Sequence, residues 1–260
     1  MNARYTAELQ KTTGALDELR QVFDLWEPGI GRAVLRDRVT SSGALGRSSS
    51  TRTGDIVNRA FPQRFLTPDD RAARRVKAGL AAGIAHAEFR DLVFLYTMRA
   101  YAPIRDFLTE RYWPAVFSGH QQIEGREIVA FLQDQTGTER NPQGWSESVT
   151  ARVARNLGKT LTDFGFFEDR RSSVRRIRFW RPSDFLVTYV VIEAHQDGTP
   201  DSAIITAGEW EVFGLDMAAR LERIQRLAGA NGPFLFQYSG EIAQFTWRCA
   251  TVEEWFDDPA

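Results

Sequence analysis

The stretch Trp145–Asp184, WSESVTARVARNLGKTLTDFGFFEDRRSSVRRIRFWRPSD, decides how this chain is read. It predicts a helix, a tight glycine turn and a basic β-hairpin. Ser146 or Ser148 can cap the helix, because a serine oxygen accepts a hydrogen bond from an otherwise unsatisfied N–H of the first turn. Val149, Val153, Leu157 and Leu161 recur at helical spacing, with Phe164 following, and form one apolar stripe. Arg152, Arg155, Asn156 and Lys159 cluster about 120° away from the centre of that stripe, given the rotation of the helix per residue. One face therefore seeks a core and another is cationic. Gly165 stops the helix, since a left-handed terminal residue is cheapest as glycine.

Arg170 and Arg171 lead into Val174–Trp180. Strand alternation places Arg175, Ile177 and Phe179 on one face and Arg176, Arg178 and Trp180 on the other. A capped helix followed by an Arg-rich hairpin is the layout of a winged helix-turn-helix, with a recognition helix in the major groove and a wing on the backbone or minor groove. The alternative is a solvated basic surface on a helix–hairpin pair. On the first reading, Arg152, Arg155, Lys159 and the wing arginines meet phosphates, and Asn156 bonds a base edge.

The charge distribution favours that reading. The 260 residues carry 33 basic and 34 acidic side chains, a near-neutral total. Residues 29–75, however, hold ten basic and four acidic residues, and 146–181 hold nine and four. Residues 182–260 hold four basic and thirteen acidic ones. Local fields rather than total charge set attraction to a polyanion. Only Lys11, Lys77 and Lys159 are lysines; the remaining basic residues are arginines, which suit bidentate phosphate and guanine contacts. A GC-rich genome produces the same bias.

Outside this stretch the chain predicts a mainly α fold, a helical scaffold carrying helix-turn-helix or winged-helix modules and short β-hairpin wings. Leu9–Trp26, Gly31–Val39 and Thr53–Phe61 read as helices. Arg52 and Arg59 lie seven apart on one face and offer a second DNA contact. A small bundle with a solvated face is the alternative. Thr67 and Pro68 open the next helices as cap and first residue, Asp70–Ala87 and Glu88–Ala100, with Ile104–Trp113 after Pro103. Gln121–Gln135 reads as a positioning helix before the recognition helix, joined by a connection longer than the ~3–4 residues of a minimal helix-turn-helix. Phe185–His195 is a helix, or a buried strand given its β-branched run. Ser202–Phe213 and Met217–Leu227 are helices, Phe234–Tyr238 and Ile242–Trp247 a hairpin, and Thr251 caps a last acidic turn. The implied modules are 1–66 (N-terminal, helical), 67–117 (helical scaffold), 118–183 (winged helix) and 184–260 (acidic, winged-helix-like).

Chemistry is inconspicuous. Asp163-Phe164-Gly165 spells a kinase tripeptide, but no Gly-rich loop, strand lysine or His-Arg-Asp loop accompanies it. No phosphate-binding Gly-x4-Gly-Lys motif occurs. His86, His120 and His195 are isolated, so metal-ligand spacing is absent. No catalytic residue, cofactor or metal site is expected. The single Cys249 excludes an intramolecular disulfide and fits a reducing cytoplasm. No secretory signal is visible in residues 1–14, and no apolar run approaches the ~20 residues needed to span a membrane.

Three places carry a resemblance: Tyr5 and Gly14 with the Arg-rich 47–64 segment; Gly144-Trp145-Ser146 leading through Thr150, Arg152 and Leu157 to Leu161-Thr162-Asp163-Phe164-Gly165-Phe166; and an aromatic hairpin ending at Trp247 before Thr251-Val252-Glu253-Glu254. In these the chain resembles the BrxA family of BREX phage-defence systems, whose members are often labelled inner-membrane proteins. The resemblance implies a small, mainly helical, cytosolic protein that binds double-stranded DNA without being an enzyme. It also implies work beside a methyltransferase, an ATPase and a phosphatase-like protein of the same system, and it carries over no catalytic residues. A protein–protein scaffold and a transcriptional regulator are the competing readings.

Overall fold

A computed structural model describes residues 4–10, 15–46, 49–168, 173–229, 231–240 and 242–258. The fold is mainly α, with two small antiparallel sheets of two strands each. The chain forms two compact units: Met1–Arg74 with Val93–Trp180, and Arg75–Leu92 with Arg181–Ala260.

In the first unit a 3-10 turn, Ala7–Gln10, precedes α1 (Leu16–Leu25) and α2 (Arg32–Ser42). The long helix expected from Leu9 to Trp26 is thus not continuous, and α2 runs past Val39 until Gly43, at φ 64°, turns it. Ser49 caps α3 (Ser50–Asp55), which continues through a π turn (Ile56–Ala60) into α4 (Phe61–Phe65). Phe61 and Phe65 both meet Phe23 edge-on at 4.9 Å, so the aromatic stripe of this rod is fixed against α1. Thr67 is not a cap: its hydroxyl donates to Pro62 O, and Asp69 Oδ1 accepts from Arg71 N where α5 (Arg71–Ala81) begins. After α6 (His86–Ala100), a second rod comprises α7 (Ala102–Phe107), a π turn (Leu108–Tyr112) and α8 (Trp113–Phe117).

The expected helix over Gln121–Gln135 begins later. Gln122–Glu124 is a strand, β1, and α9 spans Gly125–Asp134. Glu124 and Glu127 form a reciprocal capping box at the helix start, Gly125. That leaves β1 free to pair with β2 (Val174–Arg176), Ile123 opposite Arg175. Between them lies α10 (Glu147–Asp163), capped by Ser146 and ended at Gly165 with φ 88°, as its sequence predicts.

The second unit is built around α11 (Asp184–Gln196), whose Leu186 through Glu193 are all buried. A helix apolar all round needs cover on every side. It is a helix rather than a buried strand because Ser183 caps it, accepting from Leu186 N. The expected helix at 202–213 is two short ones, α12 (Asp201–Ile204) and α13 (Glu209–Val212). Asp216 caps α14 (Met217–Leu227). The hairpin is β3 (Phe234–Tyr238) paired with β4 (Ala243–Trp247), and α15 (Val252–Asp257) is capped by Thr251.

Candidate nucleic-acid interface

α10 is held on several sides. Val153, Leu157 and Leu161 are fully buried, and the helix packs on α9 and α7. The 3-10 turn covers another side. Leu9 is buried there, and its carbonyl accepts from Asn156 Nδ2 at 3.3 Å. Tyr5 anchors this segment: its N–H donates to Arg140 O at 2.7 Å and its hydroxyl to Asp106 at 3.1 Å. Burial, then the Asp106 charge, pushes the Tyr5 hydroxyl pKa upward.

What remains open is one cationic face. Arg152, Arg155 and Lys159 are exposed, at spacings that place them together along the helix. Asn156 is corrected: it is half-buried and bonded to the N-terminal segment, not presented to a ligand. No feature local to Asn156 signals this, because its partner lies 147 residues away.

The strand after α10 splits the predicted wing residues. Arg176 and Arg178 are exposed. Arg175 is corrected: it is buried, with its guanidinium against Gly158 and Nη1 donating to Thr162 Oγ1 at 3.3 Å. Burial lowers its pKa. Alternation separates Arg175 from Arg176 rightly, but the sequence does not say which face is inside. Arg170 and Arg171 lie outside the described residues. Backbone bonds from Glu168 N to Arg176 O and Arg178 N to Phe166 O align the segment leaving α10 with β2, as expected of a hairpin. β2 also pairs with β1, a pairing that nothing local in the sequence signals.

Arg52 and Arg59, the expected second contact, are occupied by carboxylates. Arg52 bonds Glu18 at 2.9 Å, and Arg59 bonds Glu8 at 3.0 Å and Asp55 at 3.5 Å. They tie α3 and the π turn to α1 and the N-terminal turn. In contrast, none of Arg152, Arg155, Lys159, Arg176 and Arg178 pairs with a carboxylate among the described residues.

Among the described residues there is no group of His, Cys, Asp or Glu that could hold a metal ion. No described helix is long and apolar enough to cross a membrane.

Fold and surface together define a mainly helical protein that presents a cationic helix and strand. Its fold is similar to that of a crystal structure of an uncharacterized protein from Magnetospirillum magneticum, with a TM-score of 0.56 and 18% identity over 72% of this chain and 92% of that one. The profile of the BrxA family matches residues 3–179, more than half of the chain, and the chain belongs to that family. Membership makes it a component of BREX phage defence. No curated protein matches it.

Proposed function

We propose that this protein is a non-enzymatic, double-stranded-DNA-binding accessory subunit of its BREX system, acting through α10 and the strand that follows. The carrying observation is the cationic face of Arg152, Arg155 and Lys159, exposed and without carboxylate partners among the described residues. Elsewhere in the same unit, arginines such as Arg52, Arg59 and Arg140 are held by acids. A stripe of unneutralised cations on a rigid helix is suited to phosphates. The order β1, α9, α10, paired segment, β2 agrees with a winged helix-turn-helix, in which the second helix enters the major groove. Ser146 and the fully buried Val153, Leu157 and Leu161 would fix that helix rigidly before DNA arrives.

Binding to a labelled random-sequence duplex of roughly 30 base pairs tests this. Binding that weakens steeply with salt is expected, by about 0.9 in log–log slope per phosphate neutralised. No binding at about 50 mM salt, where nonspecific contact is strongest, would contradict it.

A second reading makes the protein an assembly subunit that docks other components of the system, the methyltransferase, ATPase or phosphatase-like protein. It is favoured by the acidic second unit, where the β3–β4 hairpin leaves Leu235, Tyr238 and Ile242 exposed. Co-purification that survives nuclease treatment would support it.

A further inference from the structure

Beside the cationic strand lies an aromatic patch that duplex phosphate contact does not use. Trp113 is 4% exposed, yet Phe117 and Phe179, which flank it, are 67% and 54% exposed. Trp113 stacks on Phe117 at 5.7 Å with 21° between the rings, and meets Phe179 edge-on at 6.2 Å. Single exposed apolar residues need no explanation, but here two exposed phenylalanines rest against one buried tryptophan. The platform is rigid. Trp113 lies in α8, at the end of the second helical rod, and Tyr112 beside it donates its hydroxyl to the carbonyl of Arg178.

The neighbours decide what such a surface fits. Phe179 follows Arg178 in sequence, and Arg176 stands opposite Gln122 in the β1–β2 register. Gln121 bonds Ile177 N through its carbonyl. Gln121, Gln122, Arg176 and Arg178 are exposed along this strand pair and its flank. Glu124, at the far end of β1, is already paired with Arg126 at 2.7 Å. Aromatic rings interleaved with unneutralised arginines match a nucleic acid whose bases are bare: the rings take base faces and the guanidiniums take phosphates. In a perfect duplex those faces are hidden by stacking. An apolar protein partner would have no use for the two arginines.

We propose that Phe117 and Phe179, on their Trp113 base, form a stacking platform for unpaired bases, so that the protein favours DNA opened next to a duplex. This rests on the DNA-binding reading above, and the experiment separates the two. The full chain is titrated by fluorescence anisotropy with a duplex of roughly 30 base pairs, either intact or carrying a central bubble of about six unpaired bases, within the site size of such grooves. The bubble should bind about tenfold tighter, the scale of one base stacked on an aromatic ring. Phe117→Ala with Phe179→Ala should abolish that preference while leaving intact-duplex affinity and its salt slope unchanged. Phe179→Trp should keep the preference. Both phenylalanines are exposed, so the fold does not depend on them. Equal binding of the two DNAs by wild type overturns the platform and leaves the DNA-binding reading standing. So does a double variant weakened equally on both DNAs, or one that turns a self-associating protein into a monomer. Failure to bind either DNA removes both proposals.

Discussion

The Arg175 guanidinium lies so close over Gly158 that a Cβ on the glycine would sit 2.5 Å from Nε and 2.8 Å from Cζ. This contact keys β2 to the middle of α10. Glycine inside a helix normally costs about 1 kcal/mol relative to alanine, so Gly158→Ala would help an isolated helix. Here Arg175 is buried and donates to Thr162, and it cannot swing aside without losing both. Overpacking costs about 1–3 kcal/mol. We expect Gly158→Ala to lower stability in urea unfolding, and to become neutral or stabilising once Arg175→Ala is present. The coupling should exceed about 1 kcal/mol, as for side chains in contact. Additive effects would contradict the packing.

Arg52 and Arg59, unlike Arg152 and Lys159, are held by carboxylates. Their ion pairs with Glu18 and Glu8 are partly exposed, so each contributes only about 0.2–1 kcal/mol. Arg52→Ala with Arg59→Ala should lower the thermal midpoint slightly and leave the salt slope of DNA binding where it was. A fall in that slope would return these residues to the interface.

Much of the helical framework is legible in the letters, because local chemistry fixes it. Ser146, Ser183, Asp216 and Thr251 each cap the helix they precede, and Gly165 ends α10 with positive φ. The cationic face of α10 follows from spacing alone. What stays hidden depends on partners far away in sequence. Gln122–Glu124 has helical letters around it, yet becomes a strand because Val174–Arg176 pairs with it. Asn156 and Arg175 look like surface polar residues until the N-terminal turn and Gly158 are placed against them. The exposed Phe117 likewise belongs to a patch only because Trp113 and Phe179 meet in space.

Asp91 gives a pH signature. It is buried and accepts from Ser183 Oγ at 2.5 Å, and burial, the largest influence, raises its pKa above the ordinary aspartate value. A raised folded pKa means the contribution to stability is full below the unfolded value and is lost as pH rises through the folded one. Asp91→Asn keeps an acceptor for Ser183 and removes the charge. Its stability relative to wild type should therefore rise as pH climbs from the acidic side through the carboxylate range, and level off above it. Chemical unfolding across that range checks this; a difference independent of pH would show that Asp91 carries no such burden.

Arg75 sits between Glu193 at 3.2 Å and Asp197 at 2.6 Å, and both Arg75 and Glu193 are almost fully buried. Removing one partner of a buried pair strands the other charge, at a cost of about 3–5 kcal/mol. Arg75→Ala should cost that much, and Arg75→Ala with Glu193→Gln should recover part of it. Differential scanning calorimetry would show the recovery, and its absence would mean the pair is not the source of the loss.

On the proposed function, α10 meets DNA through Arg152 and Lys159. The most direct measurement is the slope of log affinity against log salt for wild type and for Arg152→Ala with Lys159→Ala on one duplex. Both side chains are exposed, so the fold should persist. Weaker binding is expected, with a slope smaller by about 1.8, the release belonging to two phosphates. A variant that binds DNA with an unchanged slope would contradict it.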